Sequence, residues 1–233
     1  MMCRSRSAAR AAACTATDGG TVTRAVDRPV ATLGETMVLF DWNGAIVVDA
    51  DRARAALNAV LARRGLPVLG ETEFSLRFRL PLTQLFGRLG IPATDRAAAE
   101  QEWNAEMADT HAHLREGATA CLSALSKAGA WLGVVSAASA AAVRFDQRSL
   151  AVPSVWNSVE SSVTDKFELL LRHRPTRPNA FFVGESADDL RCASAAGYTP
   201  IGVTDAHASA AALRAAGASH VIGALDELLT IVV

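Results

Sequence analysis

Asp41, Ser136, Lys166 and the acids of 185-ESADD-189 come in an order, and in local settings, that could handle phosphate. In 37-MVLFDWNGA-45 four apolar residues lead into Asp41, and the chain then turns at Gly44. Ser136 ends 132-LGVVS-136, Lys166 lies in 164-TDKFELL-170, and 184-GESADD-189 follows 181-FFV-183. A carboxylate attacks phosphorus poorly unless the charge on the phosphoryl oxygens is neutralised. Mg²⁺ prefers hard oxygen ligands, a few carboxylates with water and phosphate, and Asp41 with the acids of 185-ESADD-189 could supply the carboxylates. The Ser136 hydroxyl and the Lys166 ammonium suit the remaining phosphate oxygens. Backbone N–H groups of the turn at Gly44 would add donors. One position is discordant. Asn43 is an amide where a second carboxylate would make sense as a proton donor.

These residues need a scaffold that brings distant segments to one edge. Short, nearly continuous apolar runs at 37–41, 131–136, 180–184, 199–203 and 219–223 read as strands covered on both faces, with a weaker one near Val155 and Trp156. Helical patterns at 118–129, 138–147, 165–173, 187–197, 206–217 and 224–232 alternate with them. Alternation of this kind predicts an α/β fold, a doubly wound parallel sheet. Its active site belongs beyond the carboxyl ends of the strands, where all four polar positions fall. Between 49 and 115 the alternation stops. The stretches 49–65, 73–90 and 95–116 read as helices, the second divided by Pro81. The expected organisation is a core of 37–48 and 116–233, an all-helical insertion at 49–115, and an N-terminal extension, disordered or processed, at 1–36.

Other features narrow the function. The formal net charge of -1 gives no reason to expect a nucleic-acid or membrane-surface partner. No apolar run approaches the roughly 18 to 20 residues needed to span a bilayer. Cys3, Cys14, Cys121 and Cys192 lack metal-site spacing, and the last two sit in apolar helical contexts as buried thiols. A reducing compartment, the cytoplasm, is the simple reading. The chain has two lysines, Lys127 and Lys166, against 21 arginines, which draws attention to each lysine.

Taken together, the four segments resemble the haloacid dehalogenase superfamily, in its phosphatase-like members with an α-helical (C1-type) cap inserted after the first strand. The family pattern D-x-D-G-T reads 41-DWNGA-45 here, the strand-end Ser or Thr is Ser136, the Lys is Lys166, and G-D-x-x-x-D with A-A-G reads 184-GESADDLRCASAAG-197. The resemblance spans about residues 37 to 232. It implies a Rossmann-like core and a Mg²⁺-dependent phosphatase acting on a small phosphorylated metabolite. Asp41 would be the nucleophile that forms an aspartyl-phosphate. Ser136 and Lys166 would bind phosphate together with the Gly44 turn. Asp41, the backbone carbonyl of Asn43, Glu185 and Asp189 would hold the metal.

The sequence departs from that pattern at Asn43, Ala45 and Glu185. An amide cannot give a proton to the leaving oxygen or take one from water, and such help is typically worth about 10² to 10⁴ in rate, roughly 3 to 5.5 kcal/mol. The departures motivate an alternative, an impaired or repurposed protein that binds a ligand or partner. A dehalogenase is disfavoured because the acids after Gly184 would lack a purpose. A phosphonate hydrolase that needs a cap lysine is disfavoured because 49–115 contains none. Several positions have plainer readings. Asp41 could be a turn carboxylate, Ser136 a helix cap, Lys166 a solvated lysine and 185-ESADD-189 an acidic helix start. Trp42 reads as a packing residue, Arg77 and Arg79 as a solvated face, and His111 with His113 as neighbours on different sides of a helix.

Overall fold

The structure is a computed structural model that describes residues 32–79, 81–108, 112–205 and 208–232. Six parallel strands form the main sheet: β1 (Thr36–Phe40), β4 (Trp131–Val135), β5 (Ser158–Glu160), β6 (Asn179–Gly184), β7 (Thr199–Val203) and β8 (His220–Ile222). They lie in the order β5-β4-β1-β6-β7-β8. The chain therefore winds outward from β1 in one direction, returns, and winds outward in the other. The reversal falls between β1 and β6, and such a switch point opens a crevice at the carboxyl ends of the strands.

β1 shows why the apolar runs are continuous. Side chains alternate between the faces of a strand, so Val38 and Phe40 enter one buried cluster and Met37 and Leu39 another. Both faces are covered by helices. These are α5 (Ala118–Lys127), α6 (Ala140–Ser149), α7 (Lys166–His173), α8 (Ala187–Ala195) and α9 (Ala210–Ala215), and a 3₁₀ segment, Leu225–Thr230, closes the described chain. No described helix is long and apolar enough to cross a membrane.

Between β1 and β4 the chain forms α1 (Ala50–Ala62), α2 (Glu71–Arg77), α3 (Leu82–Arg88) and α4 (Arg96–Met107). These helices bury their own cluster around Leu57, Leu85, Phe86 and Trp103, joined by Ala142 of α6. Two short strands, β2 (Val47–Val48) and β3 (His113–Leu114), pair antiparallel at the base of the insertion.

The structure corrects several element boundaries. The helix expected over 95–116 ends at Met107, and His113 lies on β3. Helical spacing thus does not apply to His113, and His111 lies outside the described residues. The returning segment pairs with the outgoing one, a long-range choice that local periodicity does not encode. The weak strand near Val155 and Trp156 forms instead at Ser158–Glu160, an edge position where polar residues are tolerated. The segment expected as a helix over 224–232 is 3₁₀. The first strand begins at Thr36, and the extension before residue 32 lies outside the described residues. Cys121 is a buried free thiol, whereas Cys192 is only partly buried.

Candidate active site

The switch point gathers the residues singled out in the sequence. Asp41 leaves the end of β1, and its backbone N–H donates to the Val183 carbonyl of β6 at 2.8 Å. Phe40 pairs with Val183, so the ends of β1 and β6 lie side by side and Glu185 follows one residue after β6. Asp189 enters from the first turn of α8. Ser186 caps that helix in a capping box, its backbone N–H and hydroxyl donating to Asp189 Oδ2 at 3.1 and 2.6 Å. Gly184 lets α8 come this close, since a Cβ there would lie 2.6 Å from the Asp189 Cβ. Lys166 is the first residue of α7. Its Nζ lies 2.5 Å from Asp189 Oδ1 and 3.3 Å from Asp41 Oδ1.

One oxygen each of Asp41, Glu185 and Asp189 lies within 4.8 Å of the others. Glu185 Oε2 is buried and has no hydrogen-bond partner among the described residues. With all three carboxylates ionised beside one ammonium, the cluster would carry a net charge that a divalent cation would neutralise, and hard carboxylate oxygens are the donors such a cation prefers. The residues present therefore fit a divalent metal. Burial pushes the Asp41 carboxyl from 3.8 up to about 6; Lys166 opposes the rise and Asp189 adds to it. Burial, with Asp41 and Asp189 nearby, pushes Glu185 well above the usual carboxylate range. Lys166 is held above its usual range: desolvation lowers it, and Asp189, Asp41 and Glu185 together more than offset that.

Asp188 does not join the cluster. It is exposed and pairs with Arg191 at 3.1 Å. Ser136 is buried at the end of β4. Its hydroxyl accepts the Ala138 N–H at 3.1 Å and reaches Asn43 Oδ1 at 3.4 Å. The cap of α6 is Ser139, not Ser136. Gly44 turns the chain with φ +79°, and a Cβ there would lie 2.6 Å from the Glu185 carboxyl carbon. Glycine is thus required both by the left-handed backbone and by the carboxylate beside it. Arg77 is exposed and pairs with Glu73 at 2.7 Å.

Sequence reasoning missed a supporting network. Trp42 is fully buried, and its Nε1 donates to Asp146 Oδ2 at 3.0 Å. Asp146 on α6 also accepts both terminal nitrogens of Arg52, which belongs to α1. Arg52 in turn donates to Asp49 Oδ2 at 3.2 Å, and Asn43 Nδ2 donates to the same oxygen at 2.6 Å. Arg115, at the return from the insertion, donates to the carbonyls of Gly44, Ala45 and Thr204, at 3.0 Å for Ala45 and 2.9 Å for Thr204. It holds the turn where Ala45 lacks a hydroxyl. Charged residues at 49, 52, 115 and 146 look in the sequence like a solvated helix surface. Only their burial distinguishes them.

The model of the family described as "Haloacid dehalogenase-like hydrolase" matches residues 38–203. No curated protein matches the sequence. Among solved structures, CbbY from Rhodobacter sphaeroides in complex with phosphate is similar, with a TM-score of 0.69 and 21% identity over 83% of this chain and 96% of that one. A variant of CbbY in complex with xylulose-(1,5)bisphosphate gives a TM-score of 0.70 at 21% identity, covering 83% of this chain and 96% of that one. A structure described as a predicted phosphoglycolate phosphatase from Haemophilus somnus gives 0.71 at 16% identity, covering 84% of this chain and 96% of that one.

Proposed function

The chain belongs to the haloacid dehalogenase-like hydrolase family, and from that premise we propose that it is a Mg²⁺-dependent phosphomonoester hydrolase acting on a small phosphorylated metabolite. The observation that carries this reading is the convergence of Asp41, Glu185, Asp189 and Lys166 at the switch point of the sheet. The similar CbbY structures, with phosphate and with a sugar bisphosphate, support the substrate class.

Asp41 is the nucleophile. Its Oδ1 accepts the Trp42 N–H at 2.8 Å and faces Lys166, leaving Oδ2 to attack phosphorus in line. Above about pH 6 Asp41 is mostly ionised, as attack requires. The attack forms an aspartyl-phosphate and releases the alcohol, and water then cleaves the acyl-phosphate. Lys166 and Ser136 hold phosphoryl oxygens, and Lys166 offsets charge developing there. Asp41, the Asn43 carbonyl, Glu185 and Asp189 would hold Mg²⁺, which when bound neutralises negative charge on the phosphoryl group. Asn43 stands at the general acid/base position and can transfer no proton. Alkyl phosphates are therefore slow substrates, while good leaving groups escape that limit in the first step. The helices at 50–107 serve as the cap that excludes bulk water and selects the substrate.

The test is Mg²⁺-dependent release of phenol from an activated aryl phosphate, followed through the first turnover, with Asp41→Asn as control. Steady release lost in the variant supports a working phosphatase. A single burst that stalls means that the nucleophile acts and the phosphoryl-enzyme accumulates. No release above the control refutes phosphatase chemistry and favours a ligand-binding role.

A further inference from the structure

The network behind Asn43 decides which atom that side chain shows to the pocket. Asp49 is the residue before α1, where an Asp ordinarily caps the helix. Its side chain makes no capping bond. The carboxylate is buried, and its Oδ2 receives Asn43 Nδ2 at 2.6 Å and Arg52 at 3.2 Å. Arg52 is itself anchored on fully buried Asp146, which also takes Trp42 Nε1 at 3.0 Å. The chain of bonds thus starts on Trp42, crosses α6 and α1, and returns on Asn43, the next residue. Both residues after the nucleophile are held from behind.

Asp49 Oδ2 already accepts from the Arg52 guanidinium, which can only donate, so the branch of Asn43 that meets the same oxygen is the NH₂. The other branch, Oδ1, then faces the Ser136 hydroxyl at 3.4 Å. We propose that Asp49 is the positioning residue for Asn43, turning an acceptor-only oxygen toward Ser136 and the phosphate pocket. An oxygen there takes a hydrogen bond from a water or a substrate hydroxyl, and offers none to a phosphoryl oxyanion. Positions 43 and 49 are accordingly a matched donor and acceptor. Asn43→Asp alone sets two acceptors against each other across 2.6 Å. The meaning of this for hydrolysis rests on the phosphatase reading above, whereas the orientation does not.

The test uses the whole protein labelled with ¹⁵N. The Asn43 side-chain NH₂ signals, assigned by their loss in Asn43→Asp, should be protected from solvent exchange in the wild type and lose that protection in Asp49→Ala. Thermal unfolding completes a double-mutant cycle. Asn43→Asp should lower Tm by about 4 °C or more, and the same substitution in an Asp49→Ala background should cost much less, since no acceptor then opposes the new one. An NH₂ group that exchanges freely in the wild type, or is unchanged in Asp49→Ala, overturns the proposal. So does an Asn43→Asp loss as large in the Asp49→Ala background as in the wild type, and the protection of the NH₂ signals in the wild type decides the matter if Asp49→Ala does not fold. A protein with the protected signal and no phosphate release sinks the phosphatase reading and leaves the positioning intact. Phosphate release without the protected signal does the reverse.

Discussion

Replacing the nucleophile by its amide should stabilise the metal-free protein at neutral pH. Asp41 is buried, and its desolvation outweighs the attraction of Lys166 3.3 Å away, so its carboxyl rises from 3.8 to about 6. A group whose folded value lies above its unfolded value contributes stability that is complete below 3.8 and is lost as pH rises through about 6. A rise of that size corresponds to roughly 3 kcal/mol. Asparagine matches the shape of the protonated acid and never ionises. Asp41→Asn should therefore equal the wild type near pH 4 and exceed it by about 2 to 3 kcal/mol at pH 7, about 4 to 12 °C in Tm. Glu185, raised in part by Asp41, relaxes in the variant and adds with the same sign. The assay is urea unfolding in EDTA at pH 4, 5, 6 and 7. Saturating Mg²⁺ at pH 7 should raise the Tm of the wild type more than that of the variant. A stability difference that is absent, or that shrinks as pH rises, would refute the reasoning, because Lys166 would then outweigh burial and the site would hold no excess negative charge for a cation to relieve.

Asp146→Ala removes the buried acceptor shared by Arg52 and Trp42 Nε1 and leaves Arg52 with Asp49 as its carboxylate partner, so it should cost about 3 to 5 kcal/mol in urea unfolding. Gly44→Ala meets both a positive φ and the Glu185 carboxyl, so it should lower Tm and reduce phosphate release at least about tenfold in a steady-state assay. Lys166→Met removes the ammonium between Asp41 and Asp189 and should reduce release by roughly 10²-fold or more, with Glu185 and Asp189 still available to a cation in a Mg²⁺ titration of Tm.

The fold class was legible because a parallel sheet covered on both faces demands unbroken apolar strands, and helices between them demand a different period. Five of the six main strands fall on the expected runs. The sixth, β5, lies at the sheet edge, where burial imposes less pattern. Asp41, Ser136, Lys166 and Glu185 were legible because each sits at the end of a strand or the start of a helix, where a parallel sheet places its site. Asp189 was separable from Asp188 only by resemblance in the sequence. In the structure the reason is geometric: the third residue of α8 turns back to Ser186 and Lys166, and the second faces solvent and Arg191.

The sequence alone determined the strand order of chemistry, meaning which side chains leave which strands. It also established that position 43 bears an amide, since residue type and local period are local properties. The tertiary structure decided what that amide faces. Asp49, Arg52, Arg115 and Asp146 carry no local mark that separates a buried charge from a solvated one. Their partners lie as far as 104 residues away in the chain, and only the tertiary packing that buries these residues removes them from water and makes each bond obligatory.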